Sequence, residues 1–464
     1  MWHGRALDEP SYGAVRLRRA NYYSAARLLL AFQRRKVRIM KALKTHVAGV
    51  DVHKEILAIT VLIGQPDEEP KAQHLECSTF TEDLMACGLK LKDMGVTDVA
   101  MESTGVYWKP VFNVWNPMGL KVIVGNATHI KNVPGRKTDL NDSQWIAELH
   151  RFGLIRPSFI PDGEFQRMRL LSRHRTNLTE DLARVKNRIQ KVLEDGNIKL
   201  GSVVSDVFGV AGMNVLELIA DGVTRADTLT AAVTTKIKRM EDVKKSLTNC
   251  LTTEHCFVIA ELMTQFRDIG TRIKAVEKEL FVKVEPYAHL VEKLDEIPGI
   301  DAILAIGIIA EASADMSAFR DERSFAAWAG VASGNNESAG KKKRSKCRHG
   351  NPALRKILIQ AAQGAVHCKK SFYRSKYNKL SFRLGSKNKA KVAIANKLAR
   401  VVYKILAGDT YKELGYMRAD PKEHKIKNLL GQLRALGVEV HSHNHQIIYS
   451  KRVVKVEASG LVQN

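Results

Sequence analysis

Two hydrophobic patterns divide this chain. Between residues 45 and 155, β-branched runs such as "HVAGVDVHKEILAITVLIG", "VTDVAME" and "LKVIVG" alternate with stretches of helical spacing such as "TDLNDSQWIAELHRFG". Short strands interleaved with helices predict an α/β domain on a mixed or parallel sheet. Beyond residue 155 the spacing becomes helical. Leu171, Leu178, Leu182, Val185, Ile189 and Val192 recur at heptad-like spacing up to Gly196, and Leu262, Phe266, Ile269, Ile273, Val276 and Leu280 repeat the rhythm. Two long helices with coiled-coil seams are expected, packed on each other or on a second copy of the chain.

"LDEIPGIDAILAIGIIAEA" opens a further, mostly helical segment. Pro298 and Gly299 form a turn between two apolar runs, which reads as a helix-turn-helix-like hairpin able to offer amides to a phosphate, or as a plain packing hairpin. "VEVHSHNHQIIYSKRVVKVEA" near the end predicts a β-hairpin. The pattern thus divides into a basic leader over 1–44, with Met40 an alternative start, the α/β domain over 45–155, a helical coiled-coil region over 156–292, a helical domain over 293–415 and a tail over 416–464.

Charge changes the picture next. The 464 residues carry a formal net charge of +25, which points to a polyanionic partner. A membrane surface is the rival reading, but no apolar run approaches the roughly 20 residues that span a bilayer. No signal-peptide pattern is present either, so a soluble intracellular protein is expected. The excess is concentrated: residues 341–408 hold 20 Lys and Arg and no Asp or Glu, interleaved with aromatic and polar residues as in "KKSFYRSKYNKLSFRLGSKNKAK". Phosphate contacts suit such a block better than a solvated helix face, which mixes both signs. Six cysteines, at 77, 87, 250, 256, 347 and 368, form no CxxC pair. They read as free thiols rather than a zinc site or a disulfide framework.

Four carboxylates in the α/β domain carry candidate chemistry. Asp51 sits among apolar strand residues, where an unpaired charge is expensive. Glu102 ends another apolar strand, a suitable place for a site. Asp139 and Asp142 are three apart, which on a helix puts both on one face, although Thr138 or Asp139 could simply cap that helix. Clustered carboxylates repel and raise one another's pKa, so such a group is stable in ionised form mainly around divalent cations. Oxygen ligands favour Mg²⁺ or Mn²⁺, and two such ions suit phosphoryl transfer on a nucleic acid.

The stretches "GVDVHKE", "MESTGVYW", "GRKTDLNDSQWIAEL", "IPGI", "FRDERSFAAWAGV" and "NNESAGKKKRSKCRHGNPALRKILIQAA" together resemble the transposases of the insertion-sequence 110 family, including its 1111 subgroup. The resemblance spans about residues 45–410. It implies an N-terminal RuvC-like, RNase H-type domain whose metal-binding carboxylates are Asp51, Glu102, Asp139 and Asp142. It also implies a transposase domain over 293–415 with Ser338 as nucleophile. Members of the family are recombinases guided by a structured bridge RNA that pairs with donor and target DNA, and they act as homo-oligomers, dimers or tetramers. A bacterial cytoplasmic, nucleoid-associated protein is the corresponding expectation. The family often has Pro before the "GNNESAG" step, where this chain has Ser333.

A serine hydroxyl needs a base, a metal or a strong positive field to act as a nucleophile. The carboxylate-bound ion is the expected activator of Ser338, because no His lies in sequence reach. Attack on DNA would leave a phosphoserine ester that keeps the bond energy for rejoining, in line with the lack of a nucleotide-binding motif. Lys341, Lys342, Lys343, Arg344, Lys346, Arg348 and Arg355 are the expected nucleic-acid contacts. The alternatives are a metal-dependent junction resolvase or nuclease that uses the carboxylates alone, and a non-catalytic binding protein that uses only the basic block.

Overall fold

A computed structural model describes residues 41–103, 105–131, 133, 141–233, 240–334, 337–338, 341–342, 346–415, 429–433, 435–436, 438–443 and 446–451. The chain forms two compact units that meet in sequence at Phe159 and Ile160.

In the first unit, β1 (His46–Val52), β2 (Ile56–Ile63) and β3 (Lys71–Ser78) make an antiparallel meander. Helix α1 (Thr81–Asp93), β4 (Asp98–Glu102), α2 (Trp108–Trp115) and β5 (Lys121–Gly125) follow, then α3 (Ala127–Lys131) and α4 (Asp142–Arg151). β4 and β5 run parallel to β1, giving a five-stranded mixed sheet in the order β3-β2-β1-β4-β5. The continuous apolar run of β1 matches its burial, since Val47, Ala48, Val50 and Val52 are all buried.

Gly49 sets how closely α4 lies on this sheet. A Cβ there would stand 2.2 Å from the Ala147 nitrogen and 2.3 Å from the Ser143 carbonyl oxygen, both backbone atoms. Only a residue without a side chain admits that approach. Gly49 pairs with Thr60 on one side and with Ala100 on the other. Thr60 Oγ1 reaches Ser143 Oγ at 2.8 Å, and Ala100 packs with Trp145, Ile146 and Leu149 of α4.

The second unit is mostly helical. Two long helices, α5 (Gly163–Asp195) and α9 (Thr253–Val284), pack against each other. Between them lie α6 (Val210–Ala220), α7 (Ala226–Ala231) and α8 (Met240–Leu247). These cover one end of the pair, with Val215, Leu216 and Ile219 in one core with Val185, Ile189 and Met263. The expected seams are only partly closed: Leu178, Val185, Ile189, Leu262 and Leu280 are buried, whereas Leu171, Leu182, Phe266, Ile273 and Val276 remain half-exposed.

Then come α10 (Ala288–Asp295), α11 (Ala302–Ala312) and α12 (Glu322–Trp328), the short strands β6 (Glu337–Ser338) and β7 (Lys341–Lys342), and three helices, α13 (Pro352–His367), α14 (Phe372–Leu384) and α15 (Lys387–Leu406). Gly299, at φ +88°, turns the chain between α10 and α11 against the backbone of α13, where a Cβ would meet the Ala365 nitrogen at 2.2 Å. The Pro298–Gly299 turn is therefore seated on a helix, as the packing reading of that motif requires. The last described elements, β8 (Val438–His443) and β9 (Gln446–Lys451), pair antiparallel.

All six cysteines are unpaired. Among the described residues no helix is long and apolar enough to cross a membrane.

Candidate active site

Side chains alternate across a strand, so Asp51 points to the same face of the sheet as Gly49, the face that α4 covers. Parallel pairing of Val50 with Met101 brings Glu102, the last residue of β4, beside Asp51 on that face. The third carboxylate arrives with the helix. Asp142 opens α4 directly before Ser143, the residue held by Gly49 and Thr60. Asp51, Glu102 and Asp142 are thus gathered at the carboxyl ends of two adjacent parallel strands and the amino end of a helix.

The electrostatics record this convergence. Burial raises the Asp51 carboxyl above its ordinary pKa, His53 opposes the rise, and the charges of Asp142 and Glu102 add to it. His53 Nε2 lies 3.2 Å from Asp51 Oδ2, and Lys131 Nζ lies 3.9 Å from Glu102 Oε1. Neither partner stood out in the sequence. His53 could have been found from its position two residues after Asp51 on the edge of the same strand.

The expected helical pairing of Asp139 with Asp142, and the alternative of a cap by Thr138 or Asp139, fall on residues outside the described ones. The described helix begins at Asp142 behind an extended Asn141. Among the described residues no three His, Cys, Asp or Glu close into a metal-ligating group. The donor chemistry nevertheless fits a hard divalent cation. Two strand-end carboxylates and one at a helix start, with Asp51 raised by burial and further by the charges of Asp142 and Glu102, form an oxygen-only set that a cation would relieve.

The second candidate centre lies on the second unit. Ser333 bridges Cys347, the Gly334 amide donates to the Lys346 carbonyl at 2.8 Å, and the Arg348 amide donates to Ala332 at 3.1 Å. Farther out, Glu337 pairs with Lys342 and Ser338 with Lys341. Within "GNNESAGKKKRSKC" the described residues thus form an antiparallel pair of short strands, with Ser338 opposite Lys341. Lys343 and Arg344 lie outside the described residues, while Lys346 and Arg348 are exposed.

The foot of this strand pair is rigid. Gly330, at φ +71°, packs on Gly350, where a Cβ would come 2.4 Å from both the Gly330 nitrogen and the Trp328 carbonyl oxygen. The Asn351 amide donates to Trp328 O at 2.7 Å, and Arg355 directs Nη1 to the Gly330 carbonyl. That arm of Arg355, expected on nucleic acid, holds the foot instead. Asn351 also caps α13 and donates through Nδ2 to Glu311 Oε2 at 2.6 Å. Glu311 is fully buried in α11 and receives both Arg173 Nε at 2.7 Å and Arg173 Nη2 at 2.9 Å, with Arg169 Nε 3.1 Å from Oε2. One buried glutamate thus ties α5, α11 and the start of α13 together.

Similarity to known proteins gives the class to which the chain belongs. A family model described as "Transposase", of the DEDD type of IS110, matches residues 48–198, and one described as "Transposase IS116/IS110/IS902 family" matches residues 291–378. The chain belongs to the IS110 family of transposases. A "Probable family 20 transposase" of Pseudomonas aeruginosa is 29% identical over 156 residues, which is 33% of this chain and 46% of that protein. "Putative transposase y4pF/y4sB" of Sinorhizobium fredii is 29% identical over 154 residues, 32% of this chain and 39% of that protein. The chain thus spans less than half the length of these curated relatives. A solved structure titled "Thermus thermophilus RuvC structure" aligns with 25% of this chain and 100% of its own, at 17% identity and a TM-score of 0.20.

Proposed function

We propose that this protein cuts and rejoins DNA strands during transposition, using a divalent cation held by Asp51, Glu102, Asp139 and Asp142 and Ser338 as nucleophile. The observation that carries the reading is the meeting of Asp51 and Glu102 at adjacent parallel strand ends with Asp142 at the start of α4, all close enough for their charges to act on Asp51. Bound there, Mg²⁺ or Mn²⁺ would supply Lewis-acid polarisation of a phosphate and stabilise a leaving oxygen.

The remaining chemistry belongs to the chain. Ser338 Oγ attacks a DNA phosphorus, a serine ester forms, the bond to one sugar oxygen breaks, and that oxygen leaves as a hydroxyl carrying the serine proton. Reversal on a second strand rejoins the backbone with no external energy source. Lys341, Lys342, Lys343, Arg344, Lys346 and Arg348 hold backbone phosphates beside the strand pair. Arg355 contributes through its remaining donors. A structured bridge RNA selects the DNA ends, and a dimer or tetramer carries out the exchange. The domain division proposed is a catalytic domain over 45–155, a helical region over 156–292 and a transposase domain over 293–415.

The test is a denaturing gel of protein mixed with labelled element-end DNA, guide RNA and Mg²⁺. A covalent protein–DNA adduct is expected from the wild type and none from Ser338→Ala. Strand exchange by Ser338→Ala at the wild-type rate would replace this reading with a nuclease or resolvase that uses the carboxylates alone.

A further inference from the structure

A cleft among α13, α14 and α15 takes no part in the chemistry above. It encloses about 380 Å³, and its walls carry His367 from α13, Arg374, Tyr377 and Asn378 from α14, and Lys387 and Lys391 from α15. No acidic residue lines it. Arg374 Nη1 donates to the His367 carbonyl at 3.2 Å, and Lys391 Nζ donates to Gln363 Oε1 at 2.7 Å. Both cations are thus positioned by neutral acceptors, which leaves their charge uncompensated among the described residues.

The face of α14 that lines the cleft extends beyond it. Residues four apart share a helix face, so Arg374, Asn378 and Phe382 lie on one line. Phe382 is 93% exposed, an aromatic ring with no packing role at the end of that line. Gly385, in the left-handed conformation at φ 59°, stops α14, and Ser386 caps α15, so the chain turns directly from Phe382 to Lys387.

We propose that this cleft and Phe382 bind an unpaired stretch of nucleic acid, with Arg374, Lys387 and Lys391 on its phosphates and Tyr377 and Phe382 stacked on its bases. The proposal rests on the nucleic-acid reading above and adds single-strandedness to it. Cations without acidic partners need a polyanion, and a bare aromatic ring beside them suits a base face that is free to stack. A duplex keeps its base faces covered and gains nothing from Phe382. An anionic lipid surface would satisfy the lysines, but an interfacial helix needs a broad apolar face, and Phe382 has only the partly exposed Leu384 near it in sequence.

The test measures fluorescence anisotropy of the full chain with labelled oligothymidylate and oligouridylate, an abasic strand of the same length and a duplex. A chelator is present, so no cleavage step enters and a failed cleavage reading leaves the binding result standing. Phe382→Ala, a surface change with Tm checked alongside, is expected to weaken both single strands about tenfold and to leave duplex and abasic affinities unchanged. Lys387→Gln with Lys391→Gln should lower the salt slope of single-strand binding by about 1.4. Tighter binding of one oligonucleotide supports the proposal and names the strand as DNA or RNA. Unchanged single-strand affinity in Phe382→Ala, an equal loss on duplex and abasic probes, or binding of phosphatidylserine vesicles in place of strands would overturn it.

Discussion

Thr60 Oγ1 and Ser143 Oγ meet at 2.8 Å in a buried hydrogen bond that ties the middle of β2 to the first turn of α4. Because Asp142 immediately precedes Ser143, this bond fixes where a candidate catalytic carboxylate stands. Thr60→Val keeps the shape and strands the Ser143 hydroxyl, at a cost of about 1–3 kcal/mol in stability. Denaturant unfolding should show the loss, and strand cleavage should fall further than the stability loss explains.

Gly49→Ala tests the same seat from the sheet side. A methyl group 2.2 Å from the Ala147 nitrogen must push α4 off β1, and overpacking of this kind costs about 1–3 kcal/mol or more. A lower Tm is expected, and Mg²⁺ should raise that Tm less than it raises the wild type's.

Asp51 gives the ion itself a signature. Its pKa is raised in the fold, so its contribution to stability is complete below the ordinary value of 3.8 and disappears as pH rises through the raised value. At neutral pH the ionised group therefore opposes folding. Asp51→Asn should melt higher than the wild type in chelator, and adding Mg²⁺ should raise the wild-type Tm while hardly moving the variant.

His150 acts in the opposite sense. Burial pushes its pKa down to about 4, with Lys44 adding to the fall and Asp98 opposing it. A lowered base stabilises the fold above its free value of 6.5 and loses that contribution as pH drops toward 4, on the order of 3 kcal/mol in all. Between pH 6.5 and 4 the wild type should lose about this much stability relative to His150→Leu, so the two curves run parallel near neutral pH and separate in acid as the wild type falls.

Glu311→Gln probes the buried clamp. The change leaves Arg169 and Arg173 without their carboxylate in a fully buried place, and breaking such a pair costs about 3–5 kcal/mol, less the share of Arg173 that water reaches. Calorimetry should show a much lower Tm for the second unit.

Local patterning exposed part of this. Asp51 stands next to the end of its strand run and Glu102 ends its own, so both could be picked out near strand ends, and the β-branched runs left a mixed or a parallel sheet open, of which the fold takes the mixed one. The route that brings Asp142 to them could not be read, because it depends on Gly49 and Thr60, which are ordinary strand residues until α4 lies across them. Periodicity foresaw α5 and α9 but not how much of their seams α6, α7 and α8 would cover. Glu311 was not singled out in the sequence. That it was the one acid within an otherwise apolar run, "AILAIGIIAEA", was the available signal. The cleft at Arg374 and Lys391 is assembled from three helices, and its lysines were indistinguishable from their neighbours in the basic block.

The contact between Gly330 and Gly350 also defines an exchange point for protein engineering. The paired stem of Ala332–Gly334 and Lys346–Arg348 stands on a glycine–glycine junction backed by Asn351 and Glu311. A segment of different length or chemistry grafted between Gly334 and Lys346 is expected to fold on this stem when both glycines and the asparagine are kept, and a circular-dichroism melt of the graft checks it.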